Sequence, residues 1–291
     1  MQSINMKYFI TGGSGLLGER LATVAKENDE LTLVHNSNPS DNTIKCDITN
    51  EKEVNNTIEN ENPDVIIHCA AMTNVDLCED EKELAYKING DGTGFLAKAA
   101  DKINAKIIYV STDFVFDGER GYYKEDEEVN PLGIYAKSKY DGEVQLKKYS
   151  NDWAIARVSV LYGWHSRLNF TTWVIDQLRQ NNEINIVTDQ INSPTLADNA
   201  AEAIYAIARK DKQGIFHTAG NDAINRFDFT KKIADAFDLD DSLINPTTSK
   251  QFIQKAPRPR DSSLNVNKVE KELGITMETC SESLKRMANT E

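Results

Sequence analysis

A tyrosine and a lysine four residues apart are the first candidates for chemistry in this sequence. Tyr135 and Lys139 lie in the pentapeptide YAKSK, within a segment whose pattern predicts a helix up to about residue 149. Side chains at positions i and i+4 of a helix lie on one face. A nearby ammonium favours tyrosinate, so we expect Lys139 to lower the pKa of Tyr135 and make it a proton donor and acceptor. A surface pair without a catalytic role has the same spacing.

Two hydroxyl residues end an apolar run in the segment IYVSTDFVF. Ser111 and Thr112 close a predicted buried strand, and open α/β sheets bind ligands beyond the carboxyl ends of their strands. The interval from Thr112 to Tyr135 predicts a loop that can fold over a substrate. These features favour a shared site for Thr112, Tyr135 and Lys139 over a surface pair.

The segment TGGSGLLG contains the pattern G-x-x-G-x-x-G. It follows a predicted strand and opens a predicted amphipathic helix, which is the context that a dinucleotide-binding turn requires. Gly12 permits the tight turn, Gly15 lets the backbone approach a pyrophosphate, and Gly18 lets the helix pack closely on the sheet. Free N–H groups at the start of the helix then face the phosphates. The turn residues predicted to hold the cofactor are Gly12, Ser14, Gly15, Leu16, Leu17 and Gly18.

The end of the second predicted strand bears on the choice of cofactor. The residues His35, Asn36, Ser37 and Asn38 follow this strand. They include neither the acidic residue that binds the ribose 2′-hydroxyl in NAD sites nor an arginine for a 2′-phosphate. We therefore expect NADPH as the cofactor, with NADH also usable, and Asn36 in the cofactor site.

Predicted strands and helices alternate along the chain up to about residue 162. The strands are apolar on both faces, which indicates a parallel sheet covered by helices on both sides. We predict an α/β fold, a doubly wound parallel sheet of the Rossmann type with a smaller C-terminal substrate-binding lobe. Its longer predicted elements are strands at 64–71, 105–112 and 153–163 and a glycine-interrupted helix at 81–104. The expected domain boundaries are 1–160 plus about 190–222 for the dinucleotide-binding domain, and about 161–189 plus 223–291 for the lobe.

The composition excludes several classes of function. A net charge of −13 argues against a nucleic-acid binder and requires local cations or backbone amides for any anionic ligand. No apolar run is long enough to cross a bilayer, and no basic region followed by an apolar one opens the sequence. Four cysteines without CxxC spacing fit a reducing cytoplasm. Four scattered histidines have no metal-ligand spacing, so we expect no metal site.

Taken in order, these motifs resemble the extended short-chain dehydrogenase/reductases. The resemblance covers nearly the whole chain and includes the TGxxGxxG turn, the segments Cys46-Asp47-Ile48 and His68-Cys69-Ala70-Ala71, Asn89 and YxxxK. Within these proteins the chain is similar to the dTDP-4-dehydrorhamnose reductase family. The stretches that carry this similarity are AAMTNVDLCEDEKELAYKIN, STDFVFDG, YAKSKYDGE, DQINSPT and APRPRDSSL.

The resemblance implies a reaction and a set of roles. Hydride from NAD(P)H would reach C4 of a 4-keto-6-deoxy sugar carried on a nucleoside diphosphate. Thr112 would hydrogen-bond the substrate carbonyl, Tyr135 would protonate it, and Lys139 would hold the nicotinamide ribose. Further residues expected at the cofactor are Asp47, Ile48, Ala70, Ala71, Met72, Asn89, Ser111 and, in addition to its catalytic role, Tyr135. Residues expected at the substrate are Thr73, Asp113, Phe114, Val115, Trp164, Asn192 and Arg258. The resemblance also allows a homodimer.

Two departures from the family pattern leave alternatives open. Val160 stands where these reductases typically have Trp, and Asn192 stands where Gly is usual. The segment RVSVLYG also resembles the regulatory β-subunit of methionine adenosyltransferase, which binds NADP without being the catalytic subunit. The chain could therefore be such a non-catalytic subunit, or another nucleotide-sugar epimerase or reductase. Dehydratases of the family carry a Glu pair after the strand-end Thr, and Asp113-Phe114 at this place argues against one.

Positive charge is concentrated in the segment KAPRPR, residues 255–260. Two prolines stiffen this segment, and an arginine offers a bidentate fork to phosphate. We expect Arg258 to hold the substrate diphosphate, while a solvated basic loop is the alternative. The wider family has an RxGD motif that contacts this diphosphate, and Arg258-Pro259-Arg260-Asp261 matches it except at Arg260.

Overall fold

A computed structural model describes residues 5–251 and 254–291. The strands in chain order are β1 (Lys7–Thr11), β2 (Glu30–His35), β3 (Thr43–Lys45), β4 (Val65–His68), β5 (Lys106–Thr112), β6 (Trp153–Val158), β7 (Leu161–Tyr162), β8 (Ile184–Val187), β9 (Ile191–Asn192), β10 (Thr195–Leu196), β11 (Gly214–His217), β12 (Ile224–Asn225) and β13 (Ile244–Thr247). The α-helices are α1 (Leu16–Val24), α2 (Glu51–Glu61), α3 (Val75–Asp80), α4 (Lys82–Tyr86), α5 (Gly92–Lys102), α6 (Ile134–Tyr149), α7 (Phe170–Arg179), α8 (Ala197–Arg209), α9 (Arg226–Ala236), α10 (Asn267–Leu273) and α11 (Cys280–Ala288). A π-helical turn spans Lys87–Asp91, and 3₁₀ turns span Asp113–Val115 and Asp241–Leu243.

The central sheet has seven strands in the order β11-β6-β5-β4-β1-β2-β3. All of its neighbouring strands pair in parallel, and Tyr8 of β1 lies opposite Leu31 on one side and Val65 on the other. The chain winds outward in one direction from β1 and then returns to start β4 beside it. This arrangement confirms the predicted doubly wound α/β fold and places its switch point between β1 and β4.

Two hydrophobic cores cover the two faces of this sheet. Tyr8 and Ile10 of β1 belong to one core, and Phe9 between them belongs to the other. Successive strand residues point to opposite faces, so a strand with helices on both sides must be apolar throughout. This explains why the inner strands of the sequence are continuous apolar runs.

A third core is built from later segments of the chain. It joins residues of α7, α9 and α11 with the paired strands β8 and β13, and Phe229 and Leu284 are fully buried in it. The segment 264–277 packs differently, because its apolar side chains join the core that contains Tyr8 and Ile10. The predicted assignment of residues to two domains stays a prediction.

Two predicted elements are interrupted in the structure. The strand predicted at 153–163 ends at Val158, the backbone turns at Val160 with a φ of +42°, and β7 pairs with β10 outside the central sheet. The helix predicted at 81–104 contains the π-helical turn, which holds Asn89. Helix α6 packs so closely here that a Cβ at Gly90 would lie 2.1 Å from the Asp141 carboxylate. Such π-helical turns often occur at functional sites.

The helices offer no candidate for a membrane span. None in the described ranges 5–251 and 254–291 is long and apolar enough to cross a bilayer.

Candidate active site

A cavity of about 600 Å³ opens at the carboxyl ends of β1, β4 and β5, beside the switch point of the sheet. This is the place where open α/β sheets bind their ligands. The cavity brings together many residues that the sequence predicts for the site. These are Gly12, Ser14, Gly15, Leu16, Leu17, Gly18, Asn36, Ile48, Ala70, Ala71, Thr73, Ser111, Thr112, Asp113, Tyr135 and Lys139.

The glycine turn has the geometry of a phosphate cradle. Gly12 adopts a φ of +67°, and a Cβ there would lie 2.9 Å from the Ala70 backbone nitrogen. A Cβ at Gly18 would lie 2.3 Å from the Gly12 carbonyl oxygen, so close packing of α1 on the turn needs a glycine. The position of Gly15 is more open, with the Gly12 carbonyl oxygen at 3.2 Å as its nearest neighbour.

The start of α1 supplies the donors for such a ligand. This helix begins at Leu16, directly after Gly15, and the first N–H groups of a helix have no intrahelical acceptor. These N–H groups, and the positive end of the helix dipole, lie at the cavity, which the residues Leu16 and Leu17 line. The residues of the turn therefore fit the pyrophosphate of a dinucleotide cofactor.

The rim of the cavity beyond β2 is polar and uncharged. Asn36, Ser37 and Asn38 line it and are exposed. No Asp or Glu follows β2 in this rim to accept a hydrogen bond from a ribose 2′-hydroxyl. The rim can thus accommodate a 2′-phosphate without charge repulsion from a carboxylate.

The predicted catalytic residues lie in the same cavity. Tyr135 and Lys139 project from consecutive turns of α6, and Thr112 ends the neighbouring strand β5. The Thr112 hydroxyl accepts a hydrogen bond from the Phe114 N–H at 3.2 Å and donates to the Asp113 carboxylate at 3.1 Å. The three side chains thus come from two elements that the sheet fixes relative to one another.

The environment of Tyr135 corrects one prediction. Burial raises the pKa of the Tyr135 hydroxyl well above its ordinary value, and the negative charge of Asp113 raises it further. The prediction that Lys139 lowers the pKa of Tyr135 is therefore wrong for this structure. The Lys139 ammonium donates instead to the Val110 carbonyl at 2.7 Å and lies 4.1 Å from the ring centre of Tyr109. Tyr135 is protonated at neutral pH and can serve as a proton donor.

The ionisation of Lys139 is also shifted by its surroundings. Burial lowers the pKa of this ammonium to about 7, although nearby Cys69 and Glu143 act in the opposite direction. Near neutral pH the side chain can therefore exchange its proton readily. Lys139 has the properties of a proton-transfer partner as well as of a cation.

A buried ion pair below the cavity was not predicted from the sequence. Glu143 lies one helical turn after Lys139, and its carboxylate accepts two hydrogen bonds from Arg157 at 2.9 and 2.8 Å. The same carboxylate accepts a hydrogen bond from the Ser111 hydroxyl at 2.7 Å. Both charged side chains are fully buried. The pair fixes α6 against β5 and β6, and so positions the helix that carries Tyr135.

Several residues predicted at the cofactor instead shape the turns around it. Asn89 is buried, where its amide accepts a hydrogen bond from the Met72 N–H at 2.8 Å and donates to the Met72 carbonyl at 3.2 Å. The Asp47 carboxylate accepts hydrogen bonds from the N–H and hydroxyl of Thr49 at 2.9 and 2.8 Å. Met72, Asn89 and Asp47 therefore hold the backbone next to the cavity, while their neighbour Ile48 lines it.

A buried polar network holds two residues predicted at the substrate. The Asp113 carboxylate accepts hydrogen bonds from Ser159 at 2.9 Å and from Ser262 at 2.5 Å. The Asn192 amide donates to the Ser262 hydroxyl at 2.9 Å. Asp113 lines the cavity, whereas Asn192 acts on it through Ser262. The ring of Phe114 lies edge-on to Tyr135, with centres 6.0 Å apart.

Two further predictions need correction. Val115 is fully buried in the core that contains Tyr8 and Ile10, and it does not line the cavity. Trp164 donates its indole N–H to the Met287 carbonyl at 3.0 Å and packs edge-to-face on Phe237. Its ring thus belongs to the third core of the fold and not to the cavity wall.

The structure also changes the view of the predicted phosphate clamp. The guanidinium of Arg258 lies 2.5 Å from the Asp76 carboxylate and 2.7 Å from the Ala256 carbonyl. This hydrogen bond lowers the pKa of Asp76 to about 2. Arg258 therefore already forms an ion pair with a carboxylate of the same chain. This makes it a poorer candidate for the principal ligand of a diphosphate.

A second arginine, which sequence reasoning missed, lies near the same place. Arg226 begins α9, stacks over the ring of Phe170 at 4.8 Å and faces the charges of Asp113 and Arg258. Burial lowers its pKa to about 10, so it remains charged at neutral pH. No carboxylate within the described ranges forms an ion pair with it. Its sequence context carries no phosphate motif that could have revealed it.

Comparison with known proteins assigns the family. The family model described as "RmlD substrate binding domain" matches residues 6–291. The chain belongs to this family. It is 33% identical to a probable low-salt glycan biosynthesis reductase of Haloferax volcanii, over 96% of both chains. It is also 33% identical to methionine adenosyltransferase 2 subunit beta of Xenopus laevis, over 93% of this chain and 83% of that protein.

A solved structure that is similar to this chain has the same fold. It is the dTDP-4-dehydrorhamnose reductase of Bacillus anthracis in complex with NADP. The two structures superpose with a TM-score of 0.91 at 32% sequence identity, covering 99% of this chain and 100% of that one.

Proposed function

We propose that this protein reduces the C4 keto group of a nucleoside-diphosphate-linked 4-keto-6-deoxy sugar, with NADPH as the hydride donor. One observation carries the proposal: the glycine turn and the set Thr112, Tyr135 and Lys139 share one cavity at the switch point of the sheet. The names of the reductases in the family, including the NADP-bound enzyme, support the same activity. The experiment that tests it measures NADPH oxidation against a panel of nucleotide-linked 4-keto sugars.

The residues of the cavity divide the work of this reaction. NADPH, when bound, supplies the hydride. The glycine turn and the start of α1 would hold its pyrophosphate, and Lys139 would bind the nicotinamide ribose. Thr112 would hydrogen-bond the substrate carbonyl and orient it. Tyr135 would donate the proton to the carbonyl oxygen as negative charge develops there.

A regulatory subunit without turnover is the second candidate. The match to methionine adenosyltransferase 2 subunit beta and the presence of Val160 in place of Trp favour it. Against it stand the protonated Tyr135 and the complete set of Thr112, Tyr135 and Lys139 in an open cavity. A regulatory subunit would bind NADPH and oxidise none of it with any sugar of the panel.

NADPH is expected to bind at least as tightly as NADH. No carboxylate lines the rim that follows β2 to repel the 2′-phosphate, and the rim residues Asn36, Ser37 and Asn38 offer neutral donors. Fluorescence titration of the protein with both cofactors measures the two dissociation constants. A clear preference for NADH would contradict the expectation. As a control, Gly15→Leu should abolish binding of both cofactors, because its side chain would occupy the place of the pyrophosphate.

Arg226→Met is expected to raise the KM for the nucleotide sugar by about ten- to a hundredfold, with the dissociation constant of NADPH unchanged. Arg226 is the partly buried guanidinium near Asp113 that has no carboxylate partner in the described part of the chain. Its charge-assisted hydrogen bonds to a diphosphate would contribute about 1.5–3 kcal/mol. Steady-state kinetics measure the effect, and methionine retains packing on Phe170.

Two neighbouring arginines serve as comparisons. Arg258→Ala should raise KM less than Arg226→Met does, because Asp76 already engages the guanidinium of Arg258. Arg260 is exposed, and Arg260→Ala should leave KM close to its original value. Equal and small effects from all three variants would place the diphosphate elsewhere. A homodimer and a cytoplasmic location both remain predictions.

A further inference from the structure

We propose that Arg167 binds the cofactor pyrophosphate, opposite the glycine turn. The residue lies in the loop 163–169, between β7 and α7, and it lines the same cavity as the turn. The inference rests on the proposed use of a nicotinamide dinucleotide. It adds a cationic side chain from a later part of the chain to a phosphate site otherwise built from backbone N–H groups.

The loop reaches the glycine turn directly. The guanidinium of Arg167 donates a hydrogen bond to the Ser14 carbonyl at 3.0 Å. The backbone N–H of Arg167 donates to Nδ1 of His165 at 3.0 Å. Nε2 of His165 lies 3.3 Å from the same Ser14 carbonyl and 3.4 Å from the Glu19 carboxylate. Two side chains of the loop thus meet at one carbonyl of the turn.

The base of the loop is fixed by the start of α7. The Asn169 side chain donates to the Gly163 carbonyl at 2.8 Å, which closes the loop on itself. Asn169 and Thr172 also form a reciprocal capping box at the N-terminus of α7. Because the base of the loop is held, the backbone that carries Arg167 loses little conformational freedom when a ligand binds.

The charges of the cavity favour an anion next to Arg167. Its charged lining residues are Asp113, Lys139 and Arg167. The first two lie deep in the cavity, and the pKa of Lys139 is only about 7. Arg167 is exposed near the turn and carries a permanent charge. Within residues 5–251 and 254–291 no carboxylate pairs with it, and its remaining N–H groups are available to an anion.

The negative charge of the whole chain makes a local cation important for binding an anionic cofactor. Its net charge of −13 opposes the approach of a dinucleotide, which brings two negative charges at the pyrophosphate alone. The N–H groups of the turn supply partial charges, and Arg167 would add a full one within hydrogen-bonding distance of the same turn.

The position of Arg167 also indicates which phosphate it binds. Its anchor is Ser14, between Gly13 and Gly15, where the pyrophosphate is expected. The 2′-phosphate of NADPH would instead lie beside the rim that follows β2. A residue at the pyrophosphate serves NADPH and NADH equally, which gives the inference a distinct signature.

The test compares cofactor binding by three variants with that of the unaltered protein. In Arg167→Gln we expect the dissociation constants of NADPH and NADH to rise by the same factor, about tenfold. Arg167→Lys should recover part of the loss, because it retains the charge. The loss should shrink as salt is added, since the site is exposed. Arg179→Gln is the matched control, because it removes one exposed positive charge from α7, where Arg179 pairs with Glu291.

Fluorescence titration gives the constants, and the rise of the melting temperature on cofactor addition gives an independent readout. A loss confined to NADPH would overturn the assignment and place Arg167 at the 2′-phosphate. Equal affinities of Arg167→Gln and Arg179→Gln would overturn it as well and leave Arg167 as an anchor of the loop. Failure of the unaltered protein to bind either cofactor would refute the proposed function, and this inference with it.

Discussion

Tyr135→Phe is expected to lower kcat by roughly 10²–10⁴-fold and to leave the affinity for NADPH nearly unchanged. The substitution removes one hydroxyl from a partly buried ring that lines the cavity, and it keeps the ring itself, including its edge-on contact with Phe114. Burial holds that hydroxyl in its protonated form, so its loss removes the proton donor of the proposed reaction. Stopped-flow and steady-state measurements of NADPH oxidation, together with a cofactor titration, check both parts of the expectation.

Tyr140→Phe is the matched control for this experiment. Tyr140 lies on the same helix α6, five residues later, and does not line the active-site cavity. Its substitution should leave kcat and cofactor affinity unchanged. If Tyr135→Phe kept full activity, Tyr135 would not be the acid. If it lost cofactor binding as well, its hydroxyl would be part of the cofactor site and the separation of roles would be wrong.

The central sheet could be predicted because its strands are determined by local composition. β4 and β5 are buried on both faces, and only a continuous apolar run can satisfy that environment. The strands of the smaller sheets lack this signature. β8 and β13 are four residues long, their paired residues are 60 positions apart in sequence, and β13 contains Pro246. Their pairing depends on the tertiary arrangement, which a local pattern does not contain.

The end of β6 is a second place where the local sequence pattern could not predict the pairing of the backbone. Apart from Ser159, the apolar residues continue from Val158 to Leu161, so a single strand to residue 163 was predicted. In the structure the backbone leaves the sheet after Val158, and the Val160 carbonyl accepts a hydrogen bond from the Thr195 N–H. That partner lies 35 residues later in the chain. The apolar pattern indicates that the residues are buried, but it does not indicate which segment the backbone hydrogen-bonds with.

The cavity residues also differ in how far local sequence could predict them. The glycine turn and the Tyr135–Lys139 pair were predicted because their spacing within one element carries the chemistry. The ionisation of these groups was not predictable, because it depends on burial and on partners from other elements. Lys139 bonds to a carbonyl of β5, and Arg258 to a carboxylate 182 residues away in sequence. Arg226 and Arg167 became candidates only when the fold had placed them near the cavity.

Glu143→Leu is expected to lower the free energy of unfolding by about 3–5 kcal/mol, the usual cost of leaving one charge of a buried pair without its partner. Arg157 is fully buried, and Glu143 supplies both acceptors of its two hydrogen bonds. The substitution also removes the acceptor of the Ser111 hydroxyl. Urea unfolding with an unchanged m-value measures the loss.

A double variant separates the charge effect from a loss of packing. Glu143→Leu combined with Arg157→Met replaces the pair by apolar side chains, which is often neutral or stabilising. We therefore expect the double variant to be more stable than Glu143→Leu alone. The exposed pair of Lys98 and Glu51 is the reference, and Lys98→Ala should cost less than about 1 kcal/mol. A double variant as unstable as the single one would show that packing around Glu143, and not the unpaired charge of Arg157, accounts for the loss. In that case the ion pair would not be what holds α6 in place beneath Tyr135.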